Sequence, residues 1–158
     1  MNAKPPVGHG PVRSVHLTWR YVGLVAVGGT VGTALRALLT IAIPPMGNFP
    51  VAIFGINLLG AFLLGALLES LARRGPDEGG RRALRLLLGT GVLGGFTTYS
   101  ALATDANLLL VRDSVGAALL YALGTIVLGA VATWAGIALS AALHRRGAVA
   151  PPDNEVVE

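Results

Sequence analysis

Four long apolar stretches, separated by short polar connectors, leave this chain few ways to fold. They cover about residues 19–43, 49–70, 84–110 and 115–143. As a helix, each can cross a hydrocarbon core of ~30 Å at a rise of ~1.5 Å per residue. Lipid offers no partner to a bare backbone polar group, so a spanning segment must satisfy its own, and runs of this length do so as helices. Hydrophobic residues make up 53% of the 158 positions and charged residues 13%, which excludes an ordinary soluble domain. The expected fold class is an all-α membrane protein of one four-helix domain, residues 19–146. Polar tails at 1–18 and 147–158 are expected to be disordered. His9 and His16 fall in the first tail and are read as solvated rather than metal-binding. The first apolar run is too long for a cleavable signal peptide. There are no cysteines, which removes disulfides and thiolate metal sites.

The third stretch is the irregular one. Over Gly89–Leu102 it reads GTGVLGGFTTYSAL, with glycine and threonine where Leu, Ile and Val are usual. Glycine has poor helix propensity, and a Gly-Gly pair followed by two β-branched threonines is a weak point. The Gly94-Gly95 pair lies ten residues in, roughly 15 Å by helix rise, so the break is expected there and near the bilayer midplane. A break at that depth is tolerated only against protein or a polar cavity, where its carbonyls can hold an ion. A seam of small residues for close packing explains the same composition, and spacing alone leaves both readings open.

Polar residues inside the other stretches are few. Gly28, Gly32 and Arg36 recur every four residues on one face of the first, and the glycines form a pair suited to close helix contact. Arg36 lies seven residues from the far end, roughly 10 Å deep. It either snorkels to the interface or lines a polar vestibule. Asn57 enters the second stretch to a similar depth from the same side. The short connector makes the two segments antiparallel neighbours, so Arg36 and Asn57 are expected to face one water-filled pocket. An interhelical hydrogen bond is the plainer reading of Asn57. Asp105, Arg112 and Asp113 near the end of the third stretch are read as local ion pairing. In the fourth, Tyr121 and Thr125 lie one turn apart. Thr125, Gly129, Thr133, Gly136 and Ser140 continue a small polar stripe, either a packing face or a hydroxyl track.

The sequence pI near 10.3 is not read as nucleic-acid binding, because the arginines flank apolar segments. With four spans, both termini and the central loop share a side. That side carries Lys4, Arg13, Arg20, Arg73, Arg74, Arg81, Arg82, Arg85, Arg145 and Arg146, and the opposite loops only Arg112. This bias predicts cytoplasmic termini and one fixed orientation in the cell (inner or plasma) membrane.

Four motifs resemble those of one family, the Fluc (CrcB) fluoride channels. GGFTTYSAL in the third stretch resembles that family's GGxTTFSTF, and GGTVGTALRALL in the first its GGxxGAxxRY. INLLGAFLLG in the second resembles VNxxGxFxxG, and LLYALGTIVLG in the fourth the family's fourth helix. The resemblance runs from about Val22 to Leu143. It implies an antiparallel dimer of four-helix subunits, passive fluoride permeation through two pores, and a structural sodium ion at the dimer centre. On that pattern Gly94 and Thr97 match the backbone carbonyl donors to sodium. Arg36 and Asn57 match the vestibule arginine and pore asparagine, Ser100 a pore-lining serine, and Tyr121 and Thr125 the aromatic and hydroxyl of a polar track.

The chain departs from the pattern at Tyr99 and Leu102, where the family has phenylalanines, and at Ala101, where it has threonine. Leu102 has no ring edge to offer an anion. An antiparallel homodimer also needs a chain that inserts both ways, which a strong charge bias opposes. The two observations motivate the hypothesis of a heterodimer with an oppositely oriented paralogue. A small proton-coupled multidrug exporter is the alternative, but it needs a membrane-embedded carboxylate in the first helix, where only Arg36 is charged. A non-conducting partner subunit is a further alternative. No Ser/His, paired-Asp or HExxH arrangement inside the stretches suggests an enzyme.

Overall fold

The computed structural model describes residues 18–47 and 49–147. Among these, the only strand-type pairing is an isolated bridge between Met46 and Phe49. Helix α1 is Trp19–Ala42 and α2 is Val51–Arg73. The third span starts as α3, Gly79–Leu84, widens into a π-helical stretch, Arg85–Leu93, and closes with α4, Gly94–Phe96. After two extended residues it resumes as α5, Tyr99–Val111, and α6, Val115–Gly147, follows. Four stretches, Trp19–Ala42, Val51–Arg73, Gly79–Val111 and Val115–Arg146, are long and apolar enough to cross a membrane. The second, third and fourth spans extend past the apolar pattern at their arginine-rich ends, because arginine is itself a good helix former. Residues 1–17 and 148–158, including His9 and His16, lie outside the described residues.

Local chemistry sets the ends. Ile43 leaves the helical region at φ −110°, as a residue before proline must, and α1 stops ahead of Pro44-Pro45. Met46 and Phe49 exchange both backbone bonds, at 3.2 and 3.1 Å, around Gly47 at φ +62°. At the end of α5, Asp113 takes φ 56° and Ser114 N–H reaches back to the Leu109 carbonyl at 3.0 Å, closing the helix tightly. In the arginine-rich loop Asp77 accepts from Arg85 Nε at 3.0 Å and Nη2 at 2.7 Å, with Arg82 Nε 3.7 Å away. The hydrogen bond from Arg85 holds the Asp77 carboxyl below its ordinary range.

Packing divides the chain into two seams. Along one, α1 lies on the π-helical stretch and α4. Along the other, α2 lies on α6, which also carries α5. The expected neighbourhood of the first two segments is corrected here, since α1 touches α2 only lightly. Glycine decides the outcome. A methyl built at Gly91 would sit 2.9 Å from Gly28 Cα, and one at Gly95 3.0 Å from Gly29 Cα. One at Gly32 would strike the Val92 carbonyl. Backbone lies directly on backbone, and such smooth faces pack best on each other where lipid gives no hydrophobic drive. The second seam is built likewise, with Gly65 against the Thr133 carbonyl and Gly136 against the Phe62 carbonyl. Two small cores result. One joins Leu102, Leu109, Ala118 and Tyr121, and the other joins Ile53, Ile56 and Phe96.

Candidate functional site

The interruption falls at Thr97 and Thr98, not at Gly94-Gly95. Both threonines are extended, at φ −76°, ψ 155° and φ −152°, ψ 124°. Both glycines stay helical, and the missing side chain of Gly95 serves the contact with α1, where it meets Gly29. The threonines do the breaking. Thr97 sends both its N–H and its hydroxyl to the Leu93 carbonyl, each at 2.9 Å, which ends the first half. Thr98 opens the second half as N-cap, its Oγ1 accepting from Ala101 N–H at 3.2 Å. Ser100 Oγ lies 3.1 Å from the same oxygen.

Asn57, on α2, closes the gap. Its Oδ1 accepts from Thr98 N–H at 2.8 Å, and its Nδ2 donates to the Thr98 carbonyl at 3.1 Å. The interhelical hydrogen bond expected of Asn57 is thus made, and to backbone. Three residues on, Gly60 leaves room for the Thr97 methyl, which a side chain there would strike.

A groove of about 340 Å³ opens beside the break. Asn57 and Gly60 line it from α2, Thr97, Thr98, Tyr99 and Leu102 from the third span, and Thr125 and Thr133 from α6. Seven of the residues singled out in the sequence therefore meet there: Asn57, Thr97, Tyr99, Leu102, Thr125, Gly129 and Thr133. Among the described residues Arg36 is not part of the lining of this groove, so the groove does not join it to Asn57. The cause is the packing of α1 on the third span rather than on α2. Gly94 and Ser100 face outward, and Tyr99 is 80% exposed. Tyr121 is 0% exposed, with its ring edge-on to Phe49 at 5.4 Å. Its hydroxyl donates to Asp105 Oδ2 at 3.3 Å. Thr125 commits its hydroxyl hydrogen to the Tyr121 carbonyl at 2.6 Å.

Thr98, Gly60 and the Asp105–Tyr121 contact were not anticipated. The twin threonines and the lone intramembrane asparagine were visible signals, but nothing in the sequence paired Asn57 with Thr98. Asp105 was read with its loop neighbours because Tyr121 is sixteen residues away.

The break gathers opposite partial charges. Carbonyl groups end the half that closes with Phe96, and N–H groups begin α5. Among the described residues no hydrogen bond ends on the Gly94 or Thr97 carbonyl. No cluster of three His, Cys, Asp or Glu is found there either, so a cation would meet backbone and hydroxyl oxygens. Neutral oxygens are the kind of donor a hard monovalent ion takes.

Four apolar spans, one of them broken beside an uncharged, mainly apolar groove, define a multi-pass helical membrane protein built around an interrupted helix. The profile of the family described as CrcB-like protein, Camphor Resistance (CrcB), matches residues 23–137, and the chain belongs to that family. It is 59% identical over 137 residues to "Fluoride-specific ion channel FluC 2" of Leifsonia xyli subsp. xyli, covering 86% of this chain and 94% of the relative. It is 42% identical over 122 residues to a "Fluoride-specific ion channel FluC" of Deinococcus radiodurans, covering 75% and 94%. A protein of the same name from Novosphingobium aromaticivorans is 46% identical over 102 residues, covering 62% and 78%. These relatives are named as ion channels, not as enzymes.

Proposed function

We propose that this chain is a subunit of a fluoride-selective channel, through which toxic cytoplasmic fluoride leaves by passive permeation. The observation that carries the reading is the groove at the break, mostly apolar but with Asn57 and the start of α5 on its wall. Fluoride is small and strongly hydrated, so a dry path must replace water with N–H and O–H donors and positive dipoles. An amide nitrogen has two hydrogens; Asn57 gives one to Thr98 and keeps one for the groove. The α5 N-terminus adds a partial positive charge. Arg36 serves the vestibule, and Tyr99, Ser100, Leu102, Tyr121 and Thr125 form the rest of the path. For Thr125 to donate to an anion, its bond to the Tyr121 carbonyl must open.

Sodium is the cation assigned to the Gly94 and Thr97 carbonyls, where its charge would offset that of a nearby anion. The assembly is an antiparallel dimer in the cell membrane, with this chain's termini cytoplasmic. Leu102 favours a heterodimer with an oppositely oriented paralogue, because it is buried against this protomer's own core and offers no ring edge. The test is fluoride efflux from proteoliposomes, read with a fluoride electrode. Efflux only when the paralogue is co-purified supports the heterodimer, and efflux from the chain alone, inserted both ways, supports a homodimer. No efflux from either preparation overturns the channel reading and leaves a non-conducting partner.

A further inference from the structure

We propose that Asn57 is a positioning residue for the cation site: it aims the Thr97 carbonyl by holding the far edge of the same peptide plane. The proposal rests on the reading of a sodium ion at the break. Its basis is covalent geometry. The Thr97 C=O and the Thr98 N–H belong to one planar peptide unit, and no peptide bond in the described chain is cis. In a trans peptide these two groups point in opposite directions. The Thr98 N–H is fixed on Asn57 Oδ1 at 2.8 Å, so the Thr97 carbonyl must point away from α2.

The second bond extends the argument by one residue. Asn57 Nδ2 holds the Thr98 carbonyl at 3.1 Å, and that carbonyl shares its plane with the Tyr99 N–H. The Tyr99 N–H is thereby also turned away from α2. One amide thus sets two successive planes, one presenting an acceptor and the next a donor. Only a side chain with an acceptor and a donor on one carbon can grip a peptide this way. Without the grip, two extended residues between helices keep soft dihedrals, and the carbonyl direction is no longer fixed. Gly60 completes the seat, since a methyl there would collide with the Thr97 side chain and push the same plane from the other side. Asn57 therefore links the anion path to the cation site, and the two are expected to respond together.

The experiment follows sodium binding by thermal unfolding of the purified assembly in detergent, titrating NaCl against N-methyl-D-glucamine chloride at constant ionic strength. Fluoride efflux is measured in parallel. For Asn57→Ala, the sodium concentration giving half-maximal stabilisation is expected to rise about tenfold or more, as for lost supports of metal ligands. Thr125→Val, which changes the groove without touching the break backbone, leaves that concentration unchanged whatever it does to efflux. An unchanged sodium response in Asn57→Ala overturns the proposal. If that variant does not fold, Gly60→Ala decides in its place, with a weakened sodium response supporting the proposal and a wild-type response overturning it. Wild-type protein that conducts fluoride but ignores sodium overturns the cation site and this proposal while leaving the channel reading intact.

Discussion

At the scale of single residues, glycines do two different jobs. Gly28, Gly32, Gly91 and Gly95 let backbone touch backbone, whereas a methyl at Gly23 would meet nothing within 4 Å. Gly32→Ala is therefore expected to cost about 1–3 kcal/mol by overpacking, and Gly23→Ala to stay within about 0.5 kcal/mol. Thermal unfolding in detergent compares the two. Leu102 offers a second contrast. Restoring the family's ring by Leu102→Phe is tempting, but Leu102 is buried with Leu109, Ala118 and Tyr121. The larger side chain is expected to destabilise the protomer by about 1–3 kcal/mol, without a gain in fluoride efflux. A stable, faster variant would show that the core opens in the assembly. The sequence displayed these residues plainly. It did not display their partners, because a small residue looks the same whether it faces a helix or lipid.

At the scale of elements, the third span shows how composition and position separate. A break was legible from GTGVLGGFTTYSAL, whose two threonines are the extended residues. Its place was not, because Gly95 packs on Gly29 of α1 within the first half while Asn57 stabilises the extended form of Thr98. Tertiary contacts overrode local propensity, by three residues. The basic loop before this span carries a testable pH dependence. Arg85 lowers the Asp77 carboxyl pKa from its ordinary 3.8, so the loop's contribution is complete above that value. It is lost as pH falls through the lowered folded value, when the carboxylate takes up a proton and releases Arg85. Proteolysis of the 74–78 loop in detergent should remain slow at pH 5 and accelerate only below the ordinary carboxylate range. Asp77→Asn should show the fast rate at every pH.

At the scale of the whole molecule, a single protomer buries little. Trp19 and Ile41 on α1 are 87% and 83% exposed, and α6 turns Leu120 and Trp134 outward. Lipid accounts for apolar side chains so placed. It does not account for Tyr99 and Ser100, which are polar and exposed beside the break. Polar groups in lipid are costly, and a second protomer over this face would cover them. Cross-linking between a cysteine at position 99 and one at the corresponding position of the second protomer, whether the paralogue or another copy, is therefore expected to trap dimers in native membranes, more efficiently than at Trp134. Equal trapping at both positions would move the interface elsewhere.

Four spans, their order and the presence of one break follow from the chain read by itself, because lipid imposes length, apolarity and internal hydrogen bonding on any segment that crosses it. The same reading found Asn57, Thr97 and Thr125, since polar residues in apolar surroundings stand out. Only the tertiary structure decided that α1 would lie on the third span, that Asn57 would grip Thr98, and that Tyr121 would reach Asp105. These are matches between surfaces distant along the chain. They depend on which faces fit within tenths of an ångström, and no spacing of residues along one segment carries that information.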